Sequence, residues 1–304
     1  DSAGNAFPDS AQGLGPSLRN PIAEICDTSR LRAVASQMNL PTDKTIPRFT
    51  TPIVETHCHL DYLNTEALES TLEAAASHGI ERIVTIAVSP NNLNTVLDLA
   101  SGYQQVWCTQ GIHPHEASTW NQDVAERVSS GCAQAKTVAV GEIGLDYFYE
   151  HSDRAAQAKA FDEQLHIAAQ QNLPVVIHTR DADEDTRAIL ANHSRSLRQK
   201  GVIHSFTSSL ALAEFCLAEG FVLGFNGITT FKNADNVRAV VRATPAESIV
   251  LETDAPYLTP VPFRGKPNAP CYLPLIARTL ADLKSLEIEK FLELARKTSH
   301  QLFF

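Results

Sequence analysis

Ile53–Leu63 reads IVETHCHLDYL, an apolar run that ends in two histidines one residue apart. In an extended chain, residues i and i+2 leave the backbone on one face, so His57 and His59 point together while Cys58 points the opposite way. Two neutral imidazoles on one face are costly in an apolar core and useful to a metal ion. The pair alone also fits two histidines hydrogen-bonded beside a turn. The surrounding chain decides between these.

From Pro52 onward the same kind of short β-branched or apolar run recurs: IVETHC (53–58), RIVTIAV (82–88), VWCTQGI (106–112), TVAVGEI (137–143), PVVIHT (174–179), GVIHSF (201–206), FVLGFN (221–226) and SIVLETD (248–254). Helical patterns separate them. Between the first two, Leu68, Leu72, Ala75 and Ala76 share a face and Gly79 stands as a C-terminal stop; ahead of the fifth, Phe161, Leu165 and Ala168 form another stripe. Eight such strands alternating with helices over about 250 residues predict an α/β fold of the (β/α)8 TIM-barrel type. An open doubly wound sheet would carry a Gly-rich phosphate turn after its first strand. None is present here.

Barrel chemistry gathers at the C-terminal ends of the strands. There the first run ends in His57 and His59, the fourth in Glu142, the fifth in His178, the sixth in His204 and the eighth in Asp254. All six are metal-ligand types, so their shared placement favours ligation for the histidine pair. Glu142 has two oxygens and can bridge two cations, one completed by His57, His59 and Asp254 and the other by His178 and His204. Cations so bridged sit roughly 3.5–4 Å apart, lower the pKa of a shared water and clamp the oxygens of an in-line displacement. Asp254 is then placed to take a proton from that water. The mixed donor set accommodates Mg2+ or Mn2+ for activity, with Zn2+ as the imidazole-favoured alternative.

The wider composition is compatible with this. The chain has 304 residues, 43% of them hydrophobic, and no apolar stretch long enough to span a bilayer. Its six cysteines are scattered without a C-x-x-C pair, a pattern expected of reduced thiols in a cytoplasmic setting. A net charge of −10 excludes a protein that coats nucleic acid through basic surface, and leaves room for an enzyme that meets a strand end through bound dications. Residues 1–48 differ from the rest: Gly, Pro, Ser and Asn dominate at first, and Leu31, Val34, Ala35 and Met38 then fall at helical spacing. They read as a mostly irregular N-terminal extension with one short helix, ahead of a barrel over 49–304.

Taken in order, ETHCHLD (55–61), GIHPHEA (111–117), VGEIGLDY (140–147), PVVIHTRDA (174–182), HSFTSS (204–209), GFNGITTFKNA (224–234) and LETDAPYLTPVPFRGKPNAP (251–270) resemble the TatD family of metal-dependent deoxyribonucleases, in the amidohydrolase superfamily. The resemblance covers about Pro52 to Phe304. It implies a TIM barrel, a dinuclear metal centre and phosphodiester hydrolysis, typically 3′-to-5′ exonuclease action on DNA with single strands preferred. The family's metal ligands then fall on His57, His59, Glu142, His178, His204 and Asp254. Two positions depart from its pattern: Glu55 stands where the family more often has Asp, and Ser208 where it usually has Gly. Neither removes a ligand.

Further residues are expected at the substrate. Arg180 and Arg264 are candidates for phosphate, with Lys266 beside the latter. Phe206 and Tyr257 offer ring faces for a terminal base, and His113 and His115 lie at the end of the third strand. The remaining histidines, His78, His151, His166, His193 and His300, read as surface or structural. The expected partner is a DNA end met by a monomer, with no membrane involved. The competing enzymatic reading is an amide or ester hydrolase, since one barrel serves both chemistries. Many binuclear amidohydrolases bridge their metals with a carboxylated lysine on the fourth strand, whereas here that strand offers Glu142 and no lysine between Val138 and Gly144. A third possibility is an idle barrel that binds a partner through its N-terminal extension.

Overall fold

The computed structural model describes residues 46–304. The short helix expected near Leu31–Met38 lies outside the described residues. Each of the eight apolar runs forms a strand: β1 (Ile53–Cys58), β2 (Ile80–Thr85), β3 (Val106–Gln110), β4 (Thr137–Asp146), β5 (Val175–Arg180), β6 (Gly201–Ile203), β7 (Val222–Phe225) and β8 (Ile249–Leu251). They pair in sequence order, all parallel.

The seam between β1 and β8 is closed by a different set of bonds. His59 N donates to Ala255 O at 2.8 Å and Asp254 N to His57 O at 2.9 Å. Lower in the seam, the buried Glu55 carboxylate accepts Thr253 N at 2.9 and 3.1 Å and His57 N at 3.1 Å. A side chain thus satisfies backbone donors that no strand pairing reaches. Burial pushes the Glu55 carboxyl up to about 8 against the pull of these bonds.

Helices α1 (Leu68–Ser77), α2 (Leu93–Gly102), α3 (Gln122–Cys132), α4 (Arg154–Gln171), α5 (Asp183–His193), α6 (Leu210–Ala218), α7 (Asp235–Ala243), α8 (Leu273–Lys284) and α9 (Ile288–Phe303) complete the repeat. Leu68, Leu72 and Ala75 are the buried stripe of α1, joined by Thr71 instead of the expected Ala76. Gly79, at φ +84°, ends that segment as its position predicts. None of the described helices is long and apolar enough to cross a membrane.

Alternation along the strands separates two cores. Ile83, Val175, Ile177, Ile203, Ile249 and Leu251 face the helices, whereas Val84, Val176, Val202 and Val250 join a smaller cluster that fills the barrel. Two residues beyond Val176, Val202 and Val250, on that inward face, come His178, His204 and Glu252. In β4 a register irregularity between Gly141 and Ile143 resets the alternation: Ile143 and Leu145 face the helices, so Glu142 and Asp146 turn inward. Gly144, at φ +141°, lets β4 lie against the backbone of His178, since a Cβ there would stand 1.9 Å from His178 O.

Candidate metal centre

Six side chains converge at the C-terminal mouth of the barrel, around Glu142. Its Oε1 lies 2.9 Å from His178 Nδ1, 2.9 Å from His204 Nε2 and 3.4 Å from His113 Nε2. Its Oε2 faces elsewhere, 3.4 Å from His57 Nε2. On that side Asp254 Oδ1 lies 3.6 Å from His57 Nε2 and 3.4 Å from His59 Nε2. The His57 and His204 rings stack with centroids 3.7 Å apart, 7° from parallel. His204 therefore stands between the two groups, against Glu142 Oε1 by contact and against His57 by stacking. Asp254 itself is held at φ +58°, a left-handed conformation that Asp tolerates better than most residues.

Charge is balanced within this cluster. Burial favours protonation of Glu142, but the His204, His113 and His178 imidazoles outweigh it and hold the carboxyl well below the usual range. Burial likewise pushes Asp254 up, and His59, His57 and His204 bring it down on balance. Burial and the neighbouring His204 lower His57; burial, opposed by Glu142, brings His113 to about 3. Both are thus neutral imidazoles, the form that ligates a metal. In His59, His178 and His204 burial acts the same way but is outweighed by the Asp254, Asp146 and Glu142 carboxylates, which raise these imidazoles; a bound cation would displace their protons.

The donor set fits divalent cations. His57 Nδ1 and Nε2, His59 Nδ1 and His204 Nδ1 are buried nitrogens without a hydrogen-bond partner; for His57, whose ring has one N–H and one lone pair, this is a costly state that a cation at Nε2 would relieve. Within 4.8 Å of one another lie single donor atoms from His57, His59 and Glu142, from His57, His204 and Asp254, and from His113, Glu142 and His178. Glu142 belongs to two of these groups.

Two carboxylates that sequence reasoning passed over stand beside these side chains. Asp146 Oδ2 meets His178 Nε2 at 3.0 Å and His115 Nε2 at 2.9 Å, while its Oδ1 accepts Phe148 N and Tyr149 N, both at 3.0 Å. Burial raises Asp146, yet the bonds to His115 and His178 carry it far below the carboxylate range. Glu252 Oε1 accepts Ser205 N at 2.6 Å and lies 3.6 Å from His204 Nδ1. Such partners orient ligating imidazoles. A signal for Asp146 existed in VGEIGLDY, where it follows Glu142 by four residues on one strand face; Glu252, two before Asp254, carried the same kind of signal.

The expected substrate contacts fare differently. A cavity of about 410 Å³ over the cluster is lined by Tyr62, His113, His115, Arg180 and Tyr257 among others. Arg180 forms no ion pair with Asp181 or Asp183; its guanidinium sits 4.2 Å above the Phe148 ring and 5.0 Å above Tyr149. His113 is drawn deeper than a substrate contact requires, to Glu142 itself. Arg264 does not line the cavity and stacks on Phe231 at 3.8 Å. Phe206 corrects the expectation of a base-stacking ring: it is fully buried and packs on Phe225. Ser205, at φ +47°, breaks the extended path after His204, so simple alternation stops applying there. His151, expected outside the constellation, lines the cavity and stacks on Tyr149 at 13°. Cys58 packs in the helix-facing core, as its strand face predicts, and the five described cysteines are free and buried.

A sequence profile described as TatD related DNase matches residues 54–304. The chain is 34% identical over 252 residues to the metal-dependent hydrolase YabD of Bacillus subtilis, covering 83% of this chain and 98% of YabD. It is also 34% identical over 241 residues to the 3′-5′ ssDNA/RNA exonuclease TatD of Pectobacterium parmentieri, covering 77% of this chain and 92% of that one. Among solved structures, the TatD homologue YjjV of Escherichia coli superposes with a TM-score of 0.79 at 32% identity, covering 83% of this chain and 97% of YjjV.

Proposed function

The chain belongs to the TatD-related DNase family of metal-dependent hydrolases, and from that premise we propose that it removes nucleotides from the 3′ end of single-stranded DNA with two divalent cations at the barrel mouth. One observation carries the reading: the two oxygens of Glu142 face different partners, Oε1 toward His178 and His204 and Oε2 toward His57. A carboxylate divided in this way suits two centres bridged by one residue. His57, His59 and Asp254 would hold the first cation, His178 and His204 the second, with His113 close to the latter.

When bound, such ions supply Lewis acidity toward a phosphoryl oxygen and a water nucleophile near neutral pH. The protein's own groups do the rest. Asp254, kept ionised beside His59, accepts the proton as the water oxygen forms its bond to phosphorus and the bond to the leaving sugar oxygen breaks. Asp146 fixes the imidazole plane of His178, and Glu252 sets a carboxylate beside His204 Nδ1. Arg180, steadied on two aromatic rings, offers its guanidinium fork to a substrate phosphate. The acidic chain has little basic surface for a long duplex, in keeping with recognition of a strand end. The relative named as a 3′-5′ ssDNA/RNA exonuclease supports the same polarity here.

The test is digestion of a 5′-labelled single strand by purified protein, first stripped by chelation and then reloaded with Mg2+, Mn2+ or Zn2+. A ladder shortening from the 3′ end, restored by metal, is expected. Failure to release nucleotides with every metal, together with turnover of neutral amides or esters, overturns the nuclease reading.

A further inference from the structure

We infer that Asp162, His166 and His193 form a second metal site, on the outside of the barrel, that takes an imidazole-preferring dication such as Zn2+ and clasps α4 to α5. Asp162 and His166 are four residues apart on α4 and share a face; His193 is the last residue of α5. The two oxygens of Asp162 divide between two imidazoles: Oδ1 lies 2.7 Å from His193 Nε2 and Oδ2 lies 3.6 Å from His166 Nδ1. The rings meet edge to face at 4.6 Å, and one donor atom from each residue falls within 4.8 Å of the others.

Among the described residues no lysine or arginine pairs with Asp162. The nearby Lys159 is taken by Glu163, whose other oxygen accepts the Trp120 indole N–H. Without an ion, His193 Nε2 lies 2.7 Å from Asp162 Oδ1 and His166 Nδ1 lies 2.9 Å from the Asp162 backbone carbonyl, so zinc would take up the two rings by exchanging these contacts for ligand bonds. Two nitrogens, one carboxylate oxygen and an open solvent side match tetrahedral zinc. Bonds of about 2.0–2.2 Å put its ligands roughly 3.4 Å apart, so the present spacing needs only small side-chain adjustments. Mg2+, which requires an octahedron of oxygens, does not fit. The site is separate from the barrel mouth, and its helices flank β5, the strand that carries His178 and Arg180. Binding only the folded chain, the ion would stabilise it by mass action.

Equilibrium dialysis and thermal unfolding in Zn2+, with Mg2+ as control, would compare the full wild-type chain with His166→Gln and Asp162→Asn. His166 and Asp162 are exposed, so both variants should fold. The wild type should bind one more zinc equivalent than either variant. At a zinc concentration about 100-fold above the dissociation constant, its Tm should rise about 5 °C more than theirs. Adding Mg2+ should raise the Tm of none of the three above its own metal-free value through this site, and nuclease activity in Mg2+ should be the same in all three. Equal zinc counts and equal zinc-dependent Tm shifts in all three would overturn the site. Zinc lost from Asp162→Asn but kept by His166→Gln would overturn the three-ligand assignment.

Discussion

Glu142→Gln keeps the shape of the side chain at the centre of the site and removes its charge. The structure allows the effects on fold and on metal to be separated. Without metal, the variant loses two charge-assisted contacts at 2.9 Å, to His178 and His204, each worth about 1.5–3 kcal/mol. Against this, it no longer buries a carboxylate, an offset of several kcal/mol. The net change in stability should stay within about 2 kcal/mol, so the chain folds. Metal binding should respond far more. Removing a residue that merely orients a ligand weakens a metal by about 10- to 100-fold, so neutralising a direct anionic ligand should cost at least ~100-fold, or about 2.7 kcal/mol, at each centre. Because Oε1 and Oε2 serve different groups, both centres should empty together. His59→Ala, whose ring faces Asp254, should empty only the first; His178→Ala, whose ring faces Glu142 Oε1, only the second. Metal content after dialysis at fixed free Mn2+, Tm with and without Mn2+, and turnover of a single strand would be measured for all three and for the His59→Ala, His178→Ala double variant. A Glu142→Gln protein that keeps two equivalents and full turnover refutes the bridging role. A His59→Ala, His178→Ala double variant that still holds one equivalent refutes the division into two centres.

Arg180→Ala should lower kcat/KM on a single-stranded 3′ end by at least ~10-fold, about 1.4 kcal/mol of transition-state stabilisation, with metal content unchanged. Arg264→Ala should act through KM by no more than about 3-fold, because Arg264 rests on Phe231 outside the cavity; equal effects from the two would contradict their placement. Cys58→Ser should lose about 1–2 kcal/mol in denaturant unfolding through polar burial and retain its full metal stoichiometry, whereas loss of one equivalent would show that Cys58 faces the site. Phe206→Ala should cost about 3–5 kcal/mol as a core cavity; a variant of wild-type stability with impaired substrate binding would restore the base-stacking role. Glu289 is held at about 2 by the backbone N–H groups of Thr50 and Thr51 just ahead of β1. Its folded value lies below the ordinary 4.5, so its stabilisation is complete above about pH 4.5 and is lost as pH falls through about 2. The Tm gap between wild type and Glu289→Ala should therefore be constant near neutrality and close in acid; a gap unchanged down to pH 2 would exclude this linkage.

The limits of what the sequence discloses follow from which interactions are local. Alternation is local: once Val176, Val202 and Val250 point into the barrel, His178, His204 and Glu252 must follow. That is why His178 and His204 are legible in the sequence as inward-facing ligand types, with Cys58 on the opposite face, and why Glu252, passed over there, carried the same signal. The rule fails where the backbone leaves the extended region. At Ser205 a positive φ turns Phe206 into the core, and in the loop after β8 nothing in RGK itself says that Arg264 will fold over Phe231. Residues that act on other side chains are hidden for a different reason. Asp146 matters through His115 and His178, which lie 31 and 32 positions away, and Glu55 through Thr253, 198 positions away. No periodicity encodes such pairings; only barrel closure brings β1 against β8. The same applies on the outer surface, where α4 and α5 bring His193 to Asp162 across 31 positions. Strand periodicity announces which residues face the barrel mouth, and tertiary contact then selects the carboxylates that hold them there.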